Sequence, residues 1–364
     1  MKRFEFPGFI DVHVHFRDPG VPEAETTASG LASATRGGFA AVVTMPNTTP
    51  ACDSPEWIRY QKQAEETFLH SSLHTPRSSL LFPSACITKG RLGKEVADLE
   101  ALAEAGAAFF TDDGTYVPDQ KVLEEAMRRA YDLNMVVCQH ALSPEFTESE
   151  AIARDLSVCR ETGCRYHVQH ISTAKGVELI RDAQREGLPV TAEAAPHHLL
   201  LTKDDIPSDE VGVWSEEWWK SHSKLQTPSS TLYKMAPPLA TKEDRAELRK
   251  AVKEGLLMFA TDHAPHPMAK KNLPYEQAAN GIIGLETAIP ITYAVMVEEE
   301  GMSVENWAKA WHDMPAAIVR GLDPAALKPT VIEVGEEKTV NINDFVSLSR
   351  NCPYDGMRFR CFPC

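Results

Sequence analysis

Two histidines set two residues apart are the first residues in this chain that could do chemistry. The stretch Ile10-Asp11-Val12-His13-Val14-His15-Phe16-Arg17 alternates apolar with polar residues, the period of a β-strand with one face turned to something polar. In a strand His13 and His15 point to the same side, and two neutral imidazoles so placed are half of a metal site. Two structural histidines would read the same way, so the pair alone decides nothing. Further histidines and aspartates recur in Thr111-Asp112-Asp113-Gly114, Gln139-His140, Gln169-His170 and Thr261-Asp262-His263-Ala264-Pro265-His266. Each group follows a short β-rich run. His13, His15 and Asp262 suffice for one metal and His140 with His170 for a second, with a carboxylate from Asp112-Asp113 between them. Two ions roughly 3.5–4 Å apart with a shared water generate hydroxide at neutral pH and polarise a carbonyl. Asp262 can accept that water's proton and return it to a leaving nitrogen. Imidazole and carboxylate donors suit zinc first, with manganese, iron or cobalt as alternatives.

Elements of regular spacing must carry these residues. β-rich runs cover residues 9–15, 40–45, 80–87, 107–111, 135–140, 166–170, 190–193 and 256–261. Amphipathic stretches such as 95–105, 121–133 and 174–185 lie between them, several ending in glycine before the next run. Eight strands alternating with helices predict an α/β fold, a closed parallel (β/α)8 TIM barrel with its chemistry at the C-terminal strand ends. One domain is expected over residues 1–364, with little or no flanking β-sandwich and a short irregular tail over about 327–364. Only about six residues precede the first barrel strand. The segment 194–255 breaks the regular spacing and contains a Trp/Ser/Lys-rich loop, 213–222, that reads as a local packing cluster or else a lid or interface. A helix is expected at 242–253, and the pattern is helical again over 284–299 and 304–319.

Composition excludes several classes. A net charge of −15 argues against nucleic-acid or anionic-membrane partners, though a local cationic site can still take an anionic substrate. Met1 runs into Lys2-Arg3-Phe4-Glu5 without a basic-then-apolar leader, and no stretch reaches the roughly 18 apolar residues of a membrane helix. Of the eight cysteines, Cys86, Cys138 and Cys164 fall in or beside core strands, as reduced thiols do in the cytoplasm. Cys361-Phe-Pro-Cys364 lacks the second pair that a zinc finger needs.

Taken together, Asp11-Val12-His13-Val14-His15-Phe16-Arg17-Asp18-Pro19-Gly20, Met45-Pro46-Asn47-Thr48, Thr111-Asp112-Asp113-Gly114, His170-Ile171-Ser172-Thr173, Ala195-Pro196-His197-His198-Leu199, Asp262-His263-Ala264-Pro265-His266 and Gly284-Leu285-Glu286-Thr287 resemble the dihydroorotases of the amidohydrolase superfamily. The likeness runs in order from about residue 7 to 325, and more faintly to Asn351-Cys352-Pro353-Tyr354-Asp355-Gly356. It implies reversible closure of N-carbamoyl-L-aspartate to L-dihydroorotate in pyrimidine synthesis. By analogy His13, His15 and Asp262 hold one zinc, His140 and His170 a second, and Asp113 bridges where many relatives use a carboxylated lysine. Asp262 is also the implied general acid/base. Arg17, Asn47 and His266 are the implied substrate contacts, with the Asn280-Gly281 backbone for the ring amide. A homodimer and association with aspartate transcarbamoylase belong to the same expectation.

The likeness fails in places. Met235-Ala236-Pro237-Pro238-Leu239-Ala240 stands where the family has Asn-Pro-Pro-Leu-Arg, so no side-chain hydrogen bond comes from Ala236. The loop after His140 is short. Two other readings therefore stand beside the first: another cyclic amidohydrolase, hydantoinase- or allantoinase-like, or an inactive scaffold that binds a transcarbamoylase. Arg17 favours a ring that carries a carboxylate.

Overall fold

The computed structural model describes residues 1–71, 78–207 and 229–364. Eight parallel strands follow in chain order: β2 (Phe9–Val14), β3 (Phe39–Thr44), β4 (Leu80–Pro83), β5 (Phe110–Thr111), β6 (Val136–Gln139), β7 (Arg165–Val168), β8 (Val190–Ala194) and β9 (Met258–Phe259). They form one sheet of β2-β3-β4 and one of β5 to β9. Parallel bridges at Ala85–Phe110 and at Val14–His263 join the two sheets at both edges, which closes the barrel. Closure leaves none of these strands with an open edge. The expected eight strands are therefore present, several shorter than their apolar runs because those runs continue into the loops that carry the site.

Local chemistry explains the alternation. The helix Glu148–Thr162 starts at Thr147, whose hydroxyl accepts from Glu150 N while the Glu150 side chain returns to Thr147 N. Gly106 and Gly187, which follow helices, adopt φ of 104° and 84°; no atom crowds them, so the requirement is backbone conformation. The helices Ala174–Arg185 and Lys242–Lys253 lie where the sequence places them. The stretch 304–319 instead splits into Val304–Trp311 and Asp313–Ala316, because His312 at φ −124° breaks the turn before Pro315. The loop 213–222 lies outside the described residues.

Two apolar layers fill the barrel. Alternate strand residues (Ile10 and Val12, Ala41 and Val43, Val136 and Cys138) form one cluster, as the plug of a closed barrel does. Their neighbours pack outward on the helices in a larger cluster. Within it Trp311 stacks or meets edge-on with Phe9, Phe39 and Phe259.

The tail corrects the expectation of irregular chain after 327. β10 (Thr330–Thr339) and β11 (Arg358–Pro363) pair antiparallel, and β1 (Lys2–Phe6) pairs with β10, giving a single three-stranded sheet. Its signal is weak because only part of it is buried: Phe4 and Phe6 pack on the core while Lys2, Arg3 and Glu5 stay exposed. No helix among the described residues is long and apolar enough to cross a membrane.

Trp311 packs on Phe9 and Phe39, the first residues of β2 and β3, and is not among the residues lining the cavity over His15, Asp113 and Asp262. Trp311→Ala should cost about 3–5 kcal/mol, read as a lower urea midpoint. Activity per folded molecule should persist, since the mouth of the barrel is not touched.

Candidate active site

Asp113 is the centre of the mouth. Its Oδ1 lies 3.4 Å from His13 Nε2, 3.4 Å from His170 Nε2 and 3.6 Å from His140 Nδ1, while Oδ2 lies 3.3 Å from His15 Nε2. Asp262 Oδ1 stands 3.1 Å from His15 Nε2 and 3.6 Å from His13 Nε2. Two donor groups result, His13/His15/Asp262 and His13/Asp113/His170. His140 stands beside the second, its Nδ1 2.9 Å from His170 Nε2. All six predicted ligands are thus together, none more than 6% exposed. Asp112 turns away: its carboxylate accepts from Ile87 N, Thr88 N and the Thr88 hydroxyl, fastening the loop after β4.

Proton bookkeeping shows what these groups want between them. His13 Nδ1 lies 2.5 Å from Glu193 Oε1, and His15 Nδ1 lies 2.8 Å from Asn47 Oδ1. Arg17 Nη1 also points at Asn47 Oδ1, at 3.5 Å, which identifies that atom as the oxygen. Both partners are acceptors, so both imidazoles carry their proton on Nδ1 and turn an Nε2 lone pair inward. Burial, then Arg17, lowers the pKa of His15, so it has no second proton to give. His13 Nε2 has no hydrogen-bond partner at all. The His15 lone pair therefore faces carboxylate oxygens, and at His13, whose pKa Asp113 and Glu193 raise against its burial, the inward position is filled by a second proton or by a cation in its place. Burial by itself would raise the Asp113 and Asp262 carboxyls, yet the surrounding histidines hold both below the usual range. The donor set fits divalent ions.

Glu193 was missed by the sequence reading, although it ends the seventh β-rich run. It accepts from His170 N at 3.1 Å and meets His167 Nε2 at 2.9 Å as well as His13. The backbone is strained where the ligands sit. His170 (φ 33°), Asp262 (φ 49°), Arg17 (φ 55°) and Arg91 (φ 57°) adopt a left-handed conformation, and all four line one cavity. Each costs about 1–3 kcal/mol and persists only where its surroundings over-determine it. For Asp262 those surroundings include Thr261, held by Asp11 through its N–H and hydroxyl.

That cavity, about 300 Å³, opens over the ligands. Every predicted substrate contact lines it: Arg17, Asn47, His266, Asn280 and Gly281. His266 Nε2 lies 2.7 Å from the Asn280 carbonyl, so it must carry the proton and donate. It therefore cannot accept from Arg17 Nη2, 3.3 Å away. Burial, then Arg17, brings His266 down to about 3, leaving it neutral. Arg17 is charged, donates Nε to Pro265 O at 3.3 Å, and turns Nη2 to the cavity without an acceptor. Asn47 is more than a turn residue, since it orients both His15 and Arg17. Ala236 lines the same wall with a methyl group only.

Two further residues hold this wall: Lys271, which carried no signal in the sequence, and Asn351, which appeared there only within a faint motif and without a role. Asn351 Nδ2 donates to Ala264 O (2.9 Å) and Gly281 O (3.1 Å), and its Oδ1 accepts from His266 N at 3.2 Å. Lys271 Nζ reaches the carbonyls of Ala279, Gly281 and Lys234 at 2.9, 3.1 and 3.2 Å.

Comparison with known proteins decides the family. A family model described as dihydro-orotase-like matches residues 2–148. A dihydroorotase of Geobacillus sp. (strain WCH70) is 36% identical, covering 98% of this chain and 84% of the relative. One of Listeria innocua is 37% identical, covering 96% and 82%. The chain belongs to the dihydroorotase family. The fold of this family member also matches an L-hydantoinase from Arthrobacter aurescens, at TM-score 0.81 and 24% identity over 99% of this chain and 83% of that one. A dihydroorotase from Saccharomyces cerevisiae with 5-fluoroorotic acid matches at TM-score 0.78 and 17% identity, over 100% and 99%.

Because Glu193 sets the tautomer of His13, Glu193→Gln should weaken divalent metal binding by about 10- to 100-fold, measured by titration with a chelator. Unchanged metal affinity would make Glu193 a packing residue.

Proposed function

We propose that this chain is a dihydroorotase that interconverts N-carbamoyl-L-aspartate and L-dihydroorotate in de novo pyrimidine biosynthesis, using two zinc ions. The observation that carries the reading is Arg17. Its guanidinium faces the cavity with an unaccepted Nη2, at the edge of the six-ligand centre, where a ring carboxylate can take it. A hydantoin has no carboxylate and would leave that charge unpaired; an inactive scaffold would have no use for six buried ligands, two of them, His170 and Asp262, on strained backbone.

His13, His15 and Asp262 would hold one ion and His140 and His170 the other, with the Asp113 carboxylate shared by both donor sets. Such ions, when bound, lower the pKa of a water and polarise a carbonyl oxygen. Asp262 takes the proton of the attacking water and delivers it to the ring nitrogen as the ring C–N bond breaks; closure is the reverse. Arg17 and Asn47 fix the carboxylate, and His266 with the Asn280-Gly281 backbone fixes the ring. The seven buried cysteines, none of them in a disulfide, support a cytoplasmic address.

Purified protein should carry close to two divalent metals per chain and hydrolyse dihydroorotate; chelation should abolish turnover and zinc restore it. Asp262→Asn should lower kcat by about 10²–10⁴ in both directions. Metal-replete protein inert on dihydroorotate but active on an uncharged cyclic ureide would defeat the assignment. Asp113→Ala should lose at least one metal. Asp112→Ala should keep both and lose stability instead, because its bonds go to Ile87 and Thr88.

A further inference from the structure

The substrate wall is carried by loops, and one buried cation that touches neither metal ligand nor substrate gathers them. We infer that Lys271 is the positioning residue of this wall, and that substrate affinity depends on the positive charge of its ammonium; this rests on the dihydroorotase reading above.

Lys271 ends the helix Met268–Lys271 and is fully buried. Its Nζ lies among three main-chain oxygens, those of Ala279 at 2.9 Å, Gly281 at 3.1 Å and Lys234 at 3.2 Å. Three acceptors match the three N–H bonds of an ammonium; a neutral amine has only two, and its lone pair would face an oxygen. Lys62 and Lys89, both largely exposed, pair with Glu65 and Glu95, whereas no carboxylate among the described residues pairs with Lys271. A buried cation without a counter-ion is unfavourable unless hydrogen bonds replace its water, and here main-chain carbonyls replace all of it.

What this cage fixes is Asn280. Lys271 takes the carbonyls on either side of that residue, and the Asn280 carbonyl between them accepts from His266 Nε2 at 2.7 Å. Gly281, at φ 124°, brings the loop so close that a Cβ there would stand 2.6 Å from Ala264 Cβ and 3.3 Å from His266 Nε2. The His266 ring stands in turn 3.3 Å from Arg17 Nη2. Lys234 closes the other side: its Nζ donates to Glu276 O and Ala278 O, and its carbonyl accepts from Gly281 N as well as from Lys271. A change at Lys271 Nζ therefore reaches the substrate wall through Asn280, while none of its bonds goes to the six candidate ligands. Burial, then the charge of Lys234, lowers the Lys271 pKa to about 7, so the third N–H is lost as pH rises through neutrality. The other titratable groups along this wall do not change there, since His266, at about 3, is already neutral and Arg17, at about 10, stays charged.

The test uses the zinc-loaded enzyme and its Lys271→Met variant, assayed on dihydroorotate from about pH 6 to about pH 8.5 with metal content measured. Wild-type KM should rise about 5- to 10-fold across that range. Lys271→Met should show the high KM at every pH, with kcat within about threefold of wild type and both metals kept. A variant that retains the alkaline rise, or that has the wild-type KM at the acid end, overturns the inference, as does loss of metal. Hydrogen exchange on the wild-type protein needs neither the variant nor turnover. Corrected for the intrinsic pH dependence of exchange, residues 264–283 should exchange faster across the same range while β2 does not; equal behaviour of the two segments overturns the inference as well. Wild-type turnover of dihydroorotate tests the underlying reading separately, so failure of one is not failure of the other.

Discussion

Everything at the mouth of this barrel follows from one electrostatic constraint. Imidazole lone pairs and carboxylates are packed into a space where water cannot solvate them, and their protons are already committed elsewhere. Glu193 and Asn47 commit them, by drawing the Nδ1 protons of His13 and His15 away from the centre. The inward face is then all acceptor, and its natural complement is positive charge. Where metal is absent, protonation of His13, raised by Asp113 and Glu193 against its burial, supplies part of that charge. The strained backbones of His170 and Asp262 belong to the same account, because the ligand positions are set by the barrel and the side chains must reach inward from there.

A second constraint keeps the substrate wall in register with the centre. The cavity residues His266, Asn280 and Gly281 sit on loops without regular structure, which have no ladder of their own to hold them. Their carbonyls and amides are satisfied instead by Asn351 from the tail and by the fully buried Lys271. The tail is fastened in turn by two carboxylates, one just before the helix Thr27–Arg36 and one just before the helix Ala288–Thr292. Glu25 bonds Ser347 and Leu348, and Glu286 accepts from Val346 and Ser347. The β1-β10-β11 sheet thus belongs to the site's support, since β10 and β11 flank the segment that delivers Asn351.

This division explains what could be read from the residues alone. The barrel was legible because its strands are continuous apolar runs separated by amphipathic helices. The six candidate ligands were legible because each ends or directly follows such a run, so counting strand ends picked out the cluster that the fold brings together. Asp112 and Asp113 were not separable by pattern; what separates them is that Thr88 and Ile87 claim the first and leave the second to the histidines. Glu193 was visible as a strand end but was not weighed, because an acidic residue facing inward from a core strand has meaning only once His13 is seen beside it. Asn351 and Lys271 act through backbone carbonyls brought together by folding, and no spacing along the chain announces such contacts. The sheet of β1, β10 and β11 was missed for a related reason: a partly exposed strand of mixed residues gives little periodic signal.

The metal centre and the specificity of the cavity are physically separable. The fold matches that of an L-hydantoinase at 24% identity, so the fold alone does not choose the ring. Selection falls to groups that do not touch the metals. Arg17 sits two residues beyond His15, so the short stretch after β2 brings a candidate ligand and a guanidinium to one cavity. Its pKa is lowered by burial to about 10, which leaves it charged at neutral pH while stripping away much of its hydration. A desolvated guanidinium repays its burial only when a carboxylate arrives. The cavity is therefore positive at one edge and ready to become positive at its base, inside a chain whose net charge is −15. At physiological ionic strength charges beyond about 8 Å are largely screened, so these near groups, rather than the acidic surface, decide which ring stays.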